Sequence, residues 1–314
     1  MNTVKMRDRN GGTDFMVRIP KFKLSDVLDG ASDTVHPAFI VGGKEVDEIY
    51  ISKYQNSIHN RLPYSLPYSL PFQKAATRIS YADAVRACAL KGKGWHLMSN
   101  AEWAAIALWC LKNGTLPHGN TQQGAYHADM DERGIVYDGG FCFTGSGPAT
   151  WAHDHTDDGI FDLCGNVWEW VSGLRIKDGI LQVIPNNDVA LNVDQSIKSG
   201  CWQDMVEPES GESIKFSCGH DLAFTIGERE QDWDGTEWKN VRMDCLTEQM
   251  RALAMFPGEP DARFYGDSTD GEWVACRGGY WSDAASAGVF ALSLDLARSD
   301  VDPYLGFRAA FCPL

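Results

Sequence analysis

The stretch from residue 159 to 172, GIFDLCGNVWEWVS, constrains the fold of this chain more than any other part of its sequence. Asp162, Asn166 and Glu169 place side-chain oxygens within one tight segment, and Gly165 permits a sharp turn that would present backbone carbonyls. Two interpretations are open. Calcium prefers this mixture of carboxylate and carbonyl oxygens. Alternatively, the segment is a structural turn in which Asp and Asn cap backbone amides and the tryptophans pack in the core.

Composition and charge narrow the class of protein. The 314 residues could form one large domain or two ordinary ones, and 44% apolar residues with eleven Trp indicate a folded globular chain. The formal net charge of −15 makes nucleic acid and anionic membrane surfaces poor partners. No run of eighteen apolar residues occurs, so we expect no membrane insertion.

The cysteines and the N-terminus indicate the cellular compartment in which the chain is made. Nine cysteines are scattered singly, with no C-x-x-C pair, which disfavours zinc and dithiol-redox sites and predicts buried, reduced thiols. The first twenty residues contain no continuous apolar segment, so we expect no signal peptide and synthesis in the cytoplasm.

Two helices carry clear start signals. Ser80 precedes YADAVRACAL, and Ser99 with Glu102 forms a Ser-x-x-Glu capping box before a helix with one apolar face, which ends at Asn113-Gly114. Residues 1–38 are mixed in character and are predicted to be an arm outside the core. Beyond the second helix, Gly, Asp, Asn and aromatic residues predict loops with short strands.

Several motifs in order resemble the formylglycine-generating enzyme (sulfatase-modifying factor) family. They are GNVWEWV, DEIYISKYQNS, ISYADAVRAC, HLMSNAEWAAIA, RGGYW and GFRAAF. The resemblance covers residues 39–314 and implies an α+β, C-type-lectin-like fold that is loop-rich, with short antiparallel strands and two main helices. Residues 39–314 would form this domain, and the arm 1–38 would serve attachment or oligomerisation.

The resemblance also implies site residues. The family's calcium site corresponds here to Asp162, Gly165, Val167 and Glu169, so a structural calcium ion is expected, with no catalytic cofactor. The two copper-binding cysteines of the family's oxidases fall at Asp283 and Gly288, and neither residue can be a thiolate ligand. The chain is therefore predicted not to be an enzyme.

The last thirty-eight residues, 277–314, contain no Lys, Glu, Gln, Met or Asn. Their frame, RGG-x-W followed by AGVFAL, resembles the variable region, here about 277–311, of proteins diversified by retroelements that mutate template adenines, chiefly in AAC codons. An NNC codon cannot encode Lys, Glu, Gln, Met or Trp. Twelve positions hold residues that NNC allows, and the resemblance makes them the ligand-binding set: Tyr280, Ser282, Asp283, Ala285, Ser286, Ser293, Asp295, Leu296, Asp300, Val301, Asp302 and Tyr304.

The resemblance thus implies a non-enzymatic, hypervariable protein that binds a protein or glycan receptor on a target cell through its C-terminal face. We expect it on a phage or prophage tail rather than displayed on a cell surface, and a homotrimer is consistent with related phage proteins. The alternatives are a copper oxidase or related metal enzyme, for which Cys276 or Cys312 would be essential, and a lectin domain with a fixed ligand.

Overall fold

The computed structural model describes residues 3–59, 66–257 and 262–314, and most of them lie in short strands and connecting turns. The strands are β1 (Thr3–Arg7), β2 (Thr13–Pro20), β3 (Ile40–Val41), β4 (Lys44–Glu45), β5 (Glu48–Ser52), β6 (Ser57–His59), β7 (Leu66–Tyr68), β8 (Trp95–Leu97), β9 (Ala125–Tyr126), β10 (Asp129–Arg133), β11 (Val136–Asp138), β12 (Phe141–Cys142), β13 (Trp168–Lys177), β14 (Ile180–Val183), β15 (Gln203–Asp204), β16 (Lys215–Cys218), β17 (Leu222–Thr225), β18 (Trp233–Glu237), β19 (Arg242–Met243), β20 (Arg263–Asp267), β21 (Glu272–Gly278), β22 (Gly288–Leu296), β23 (Leu305–Phe307) and β24 (Ala309–Phe311).

The helices confirm the two start signals read from the sequence. They are α1 (Leu24–Val27), α2 (Tyr81–Ala89), α3 (Asn100–Asn113) and α4 (Glu248–Ala252), with 3₁₀ turns at Pro37–Phe39, Ala149–Trp151, Asp188–Leu191, Trp238–Asn240 and Ala284–Ser286. Ser80 caps α2, while Ser99 and Glu102 form the predicted reciprocal capping box on α3. Gly114 ends α3 with a φ of 67°, a left-handed conformation that favours glycine.

Helix α3 is more buried than its sequence suggests. The sequence predicts one apolar face, whereas every residue from 100 to 108 is buried. Asn100 and Glu102 are among them, and both are hydrogen-bonded, Asn100 to the Leu253 carbonyl and Glu102 to its cap. The helix therefore lies inside the domain, which is why polar residues with assigned partners occupy the side expected to face water.

Two sheets organise the described residues. A five-stranded sheet has the order β1-β2-β5-β24-β8, and a larger sheet runs β18-β20-β22-β21-β13-β14-β16-β17-β19, with β15 on β14 and β23 on β13. Most pairings are antiparallel, and the exceptions are β13 with β23, β17 with β19 and β20 with β22. The α+β fold class, with short antiparallel strands and two main helices, is confirmed.

The N-terminal segment differs from its prediction. Strand β2 pairs with β5 over five positions, and Met16, Val17 and Ile19 are each no more than 1% exposed. Because these residues are core residues of the five-stranded sheet, the reading of 1–38 as an arm outside the core is corrected: this segment is part of the domain. None of the helices in the described ranges combines the length and apolar character needed to cross a membrane.

Candidate ligand-binding site

A pocket of about 310 Å³ opens on the larger sheet, and we call it the variable pocket. Its lining residues are Trp168, Tyr265, Cys276, Tyr280, Asp283, Ser293, Asp295, Leu296, Asp302, Tyr304 and Leu305. Seven of them belong to the twelve positions predicted from the C-terminal sequence: Tyr280, Asp283, Ser293, Asp295, Leu296, Asp302 and Tyr304. The structure therefore brings more than half of that set around a single cavity.

Strand β22 positions part of the pocket through its alternation. Leu292 and Leu294 are fully buried, while Ser293 and Asp295, one residue on from each, line the pocket. Ser293 is opposite Cys276 of β21 in the antiparallel register. The strand thus fixes two variable side chains on one face while its other face anchors the core.

The remaining five predicted positions lie outside the pocket lining. Ser282, Ala285 and Val301 are exposed, and Ser286 and Asp300 are half-buried. Val301 is 57% exposed, an unusual place for a β-branched apolar side chain. Of these five, Asp300 has a local structural role, since its carboxylate accepts the Ala297 N–H at 2.9 Å.

The loop after Gly279 is held through backbone atoms. Gly279 has a φ of 82°, and a Cβ there would lie 2.6 Å from Ala287 Cβ, so a larger residue is strained at this turn. The Trp281 N–H donates to the Asn166 carbonyl at 3.3 Å, and the Ala284 N–H donates to the Thr121 carbonyl at 3.0 Å. These anchors use main-chain groups, and the Asp283 carboxylate adds one side-chain contact by accepting the Tyr280 N–H at 2.9 Å.

The loop between β22 and β23, which contains Asp302 and Tyr304, is also anchored through main-chain groups. The Trp168 N–H donates to the Tyr304 carbonyl at 2.8 Å, and the Arg78 N–H donates to the Asp302 carbonyl at 3.0 Å. Within the loop, the Asp302 carboxylate also accepts the Tyr304 N–H at 2.7 Å. The conformation of both loops depends largely on contacts to parts of the chain outside the variable set.

Four aromatic rings form the walls of the pocket. Tyr280 and Tyr304 lie with ring centroids 4.8 Å apart and tilted by 42°. Trp168 meets Tyr265 edge to face at 6.2 Å. The first pair comes from the predicted variable set and the second from residues that sequence reasoning missed, so the pocket joins aromatic surface from inside and outside that set.

Two carboxylates in the pocket are perturbed by burial. Desolvation raises the pKa of Asp283 to about 6, against a hydrogen bond from the Tyr280 N–H that lowers it. Desolvation also raises the pKa of Asp295, opposed by a hydrogen bond from the Ser293 hydroxyl. Neither carboxylate, nor that of Asp302, forms an ion pair with any described residue of the chain. The three carboxylates are instead held by hydrogen bonds, and the Arg263 cation also lowers the pKa of Asp283.

The positions of the family's copper cysteines are visible in the structure. Asp283 lines the pocket, and Gly288 pairs with Gly278 where β22 meets β21. Cys276 lies at the pocket wall, fully buried, with its pKa raised well above the ordinary thiol value by desolvation. Cys312 is buried elsewhere, beside Val41 and Ala190. The two cysteines are thus in separate hydrophobic clusters.

The residues predicted to bind calcium surround an amide nitrogen. Gln55 Nε2 donates towards the carbonyl oxygens of Asp162 (3.1 Å), Gly165 (3.4 Å) and Val167 (3.2 Å), and towards Glu169 Oε1 (3.0 Å). The predicted residues do converge on one point, although Asp162 contributes its backbone carbonyl there instead of its carboxylate. Sequence reasoning missed the residue at that point, because Gln55 is 114 positions from Glu169.

The orientation of Gln55 follows from a chain of hydrogen bonds. The backbone N–H of Cys142 donates to Asn166 Oδ1 at 2.9 Å, and an N–H can only donate. Asn166 therefore directs Nδ2 at Gln55, where Oε1 accepts at 2.7 Å. This leaves Gln55 Nε2 facing the four oxygens.

The Glu169 carboxylate is also paired with a cation. Arg308 donates Nε to Glu169 Oε2 at 2.6 Å and Nη2 to Oε1 at 2.5 Å, and both side chains are 1% exposed. The Asp162 carboxylate points elsewhere and accepts the Gly145 N–H. We call Gln55, Asn166, Glu169 and Arg308 the framework cluster.

The oxygens that converge on Gln55 do not form the calcium site that the sequence suggested. Calcium takes six to eight oxygen ligands. Here three carbonyls and one carboxylate converge, and the carboxylate is already neutralised by Arg308. The other interpretation, a structural turn, matches better, because Asp162 and Asn166 both cap backbone amides and Trp170 is fully buried.

The chain matches one family model and several solved structures. The model of the family described as "Sulfatase-modifying factor enzyme 1-like domain" matches residues 65–311. Among solved structures, PvdO from Pseudomonas aeruginosa is 15% identical, with 99% of this chain and 98% of that chain covered and a TM-score of 0.40. Treponema denticola variable protein 1 is 12% identical, with 99% of both chains covered and a TM-score of 0.40.

A third similar structure is the Major Tropism Determinant P3c variant. It is 11% identical, with 99% of this chain and 60% of that chain covered and a TM-score of 0.36. No curated protein matches the sequence.

Proposed function

The chain belongs to the sulfatase-modifying factor enzyme 1-like family, and we propose that within this family it is a binding protein, not an oxidase, whose C-terminal face is diversified by a retroelement. The observation that carries the proposal is the clustering of the twelve predicted positions. They were selected from the sequence, by the resemblance to the variable-region frame and by codon chemistry, and seven of them line one pocket. Three of the other five are exposed.

The mode of anchoring supports this function. A surface that tolerates many side chains needs a backbone held by groups that do not change. Trp281, Ala284 and Tyr304 meet that need, since their main-chain atoms bond to residues outside the variable region. Tyr, Ser and Asp are also the residue types that give rigid contact area and adaptable hydrogen bonds in binding loops.

The partner we propose is a protein or glycan receptor on a target cell, bound at the tail of a phage or prophage particle. A homotrimer would present three copies of the variable pocket to that cell and raise the apparent affinity through multivalency. Size-exclusion chromatography with light scattering distinguishes the trimer from a monomer of 34.8 kDa.

The decisive test of diversification is genomic. We expect a nearby repeat almost identical to the codons for 277–311, differing only where the repeat carries adenine, beside a reverse-transcriptase gene. Sequencing a population should then show variation at the twelve positions and constancy at Trp281 and Gly279. A locus without such a repeat would refute the proposal and favour a lectin domain with a fixed ligand.

One observation favours an enzymatic function as the second candidate: Cys276 lies in the wall of the variable pocket. A copper-dependent oxidase would require its thiolate, whereas burial raises the thiol pKa and favours the protonated form. Oxidation of a peptide cysteine by the chain with added copper, lost on Cys276→Ser, would support the oxidase. We expect no turnover in either protein.

A further inference from the structure

The charged side chains among the described lining residues of the variable pocket are all acidic. Three carboxylates contribute to it, from Asp283, Asp295 and Asp302, and no Lys, Arg, His, Asn or Gln is among its lining residues. The Ser293 hydroxyl, a donor in the lining, is already used by Asp295. A hydrogen bond from the Trp168 side chain acts on Asp283. The described lining therefore carries negative charge without a cationic group, and its other polar groups include the hydroxyls of Tyr265, Tyr280 and Tyr304, which can donate as well as accept.

This imbalance selects the chemistry of the ligand. A neutral sugar brings hydroxyls but no positive charge, so it would leave the carboxylates without a countercharge. An ammonium has three donors and no acceptor, and a guanidinium has five donors and no acceptor. We propose that the variable pocket receives the cationic side chain of a lysine or arginine on a protein ligand, an inference that rests on the proposed binding function and specifies its target.

The aromatic walls suit the same group. The Tyr280–Tyr304 pair and the Trp168–Tyr265 pair offer ring faces and edges on a pocket of about 310 Å³. A cation over such faces is attracted by the ring quadrupole, and more strongly where water is excluded. The structure already contains one such contact, since the Arg263 guanidinium lies 5.0 Å from the Tyr265 ring centroid.

The charged groups around the pocket carboxylates are compatible with binding of a ligand cation. Asp295 is influenced by Asp267 and Asp300, both acidic. Asp283 is influenced by the cation of Arg263, but Arg263 donates to the Gly235 carbonyl and forms no ion pair with Asp283 in the described chain. Partly buried carboxylates without a countercharge are costly, so a ligand cation that enters the pocket recovers free energy that the folded chain lacks.

In the test, the full chain is titrated with Nα-acetyl-lysine methylamide and with Nα-acetyl-arginine methylamide. Binding is monitored by NMR of the tryptophan indole N–H groups. The norleucine and citrulline analogues serve as neutral isosteres, and methyl glycosides as the sugar probes. We expect each cationic probe to bind about tenfold more tightly than its neutral isostere, the ratio expected for a charge-assisted hydrogen bond. Equal affinity for the isosteres, tighter binding of a glycoside, or no binding of the cations overturns the proposal.

Variants locate the effect in the pocket. Asp295→Asn preserves shape and should lower affinity for the cationic probes about tenfold while leaving the neutral probes unchanged. Asp47→Asn removes the same charge from an exposed site paired with Lys21 and should change nothing. If Asp295→Asn does not fold, Tyr304→Ala, which truncates a 36% exposed ring, replaces it with the same expected direction. Undiminished cation binding in the pocket variants also overturns the proposal.

The two proposals fail separately. A genomic template repeat together with a pocket that does not prefer cations refutes the ligand class and leaves diversification intact. Cation preference without a template repeat refutes diversification and leaves a fixed site for basic side chains.

Discussion

The framework cluster and the variable pocket both hold carboxylates in the same domain, but only the first compensates them. Glu169 is paired with Arg308, and both are 1% exposed. Asp283 and Asp295 have no ion-pair partner in the described residues, and burial raises the pKa of both. The first region pairs its carboxylate with a cation, whereas the second holds its carboxylates by hydrogen bonds from neutral groups.

This difference separates stability from binding within one fold. Breaking an internally satisfied cluster leaves orphaned buried groups, which is expensive. Altering a region whose groups face a ligand mainly changes recognition. The predictions below follow from this division and are ordered by the size of the expected effect.

Removal of the framework cation should have the largest effect. Arg308→Met leaves the buried Glu169 carboxylate without its cation, and we expect a loss of about 3–5 kcal/mol in the free energy of unfolding, measured by urea denaturation. The matched control, Arg18→Met, removes an exposed arginine paired with Glu48 and should leave the unfolding midpoint unchanged. If both variants are equally stable, the division between the two regions is wrong.

The Gln55 carboxamide should have the next largest effect. Gln55→Ala strips the donor from four converging oxygens and should cost about 1–3 kcal/mol, the penalty for buried unsatisfied groups. Because the amide nitrogen occupies the point at which calcium was expected, adding calcium chloride or a chelator should not shift the thermal midpoint of the natural chain. A calcium-dependent rise in that midpoint would restore calcium as the structural ligand.

The pocket carboxylate Asp283 should affect stability in a pH-dependent manner. Its pKa is raised to about 6 in the folded chain, above the ordinary value of 3.8. The stability from this group is thus present below about pH 4 and is lost as pH rises through 6, because the unfolded chain ionises more readily. Asp283→Asn should therefore be more stable than the natural chain at pH 7, by on the order of 1 kcal/mol, and equal to it near pH 4.

Thermal unfolding of both proteins between pH 4 and 8 measures this difference. Parallel pH profiles would show that Asp283 is already compensated, contrary to the contrast with the framework cluster.

Local sequence signals predicted the helices well. Ser80, Ser99 and Glu102 act through neighbours three positions away, so their roles can be read directly from the sequence. The codon pattern of 277–311 likewise identified seven pocket residues without any structure. The alternating apolar residues of β2 were a usable signal for a core strand, and the mixed charge of 1–38 obscured it.

The missed residues depend on long-range pairing. Tyr265 reaches the pocket because β20 pairs in parallel with β22, placing it opposite Ser293. Gln55 enters the framework cluster from a loop far from Glu169 in the chain. Neither residue has a local pattern that marks it, and only the sheet order and the turn geometry bring it into place.

The smallest expected effect tests whether the predicted variable surface tolerates substitution. Replacing the exposed Ser282, Ala285 and Val301 together with Asn should change the free energy of unfolding by less than about 0.5 kcal/mol per site, because none of them packs against the core. Ala291→Asn, a change of similar size at a fully buried position of β22, should cost several times more, since it buries an unpartnered amide. Denaturation of the triple variant and of Ala291→Asn side by side measures the contrast. A triple variant as unstable as Ala291→Asn would mean that these positions support the fold, and that the variable surface is smaller than the codon pattern indicates.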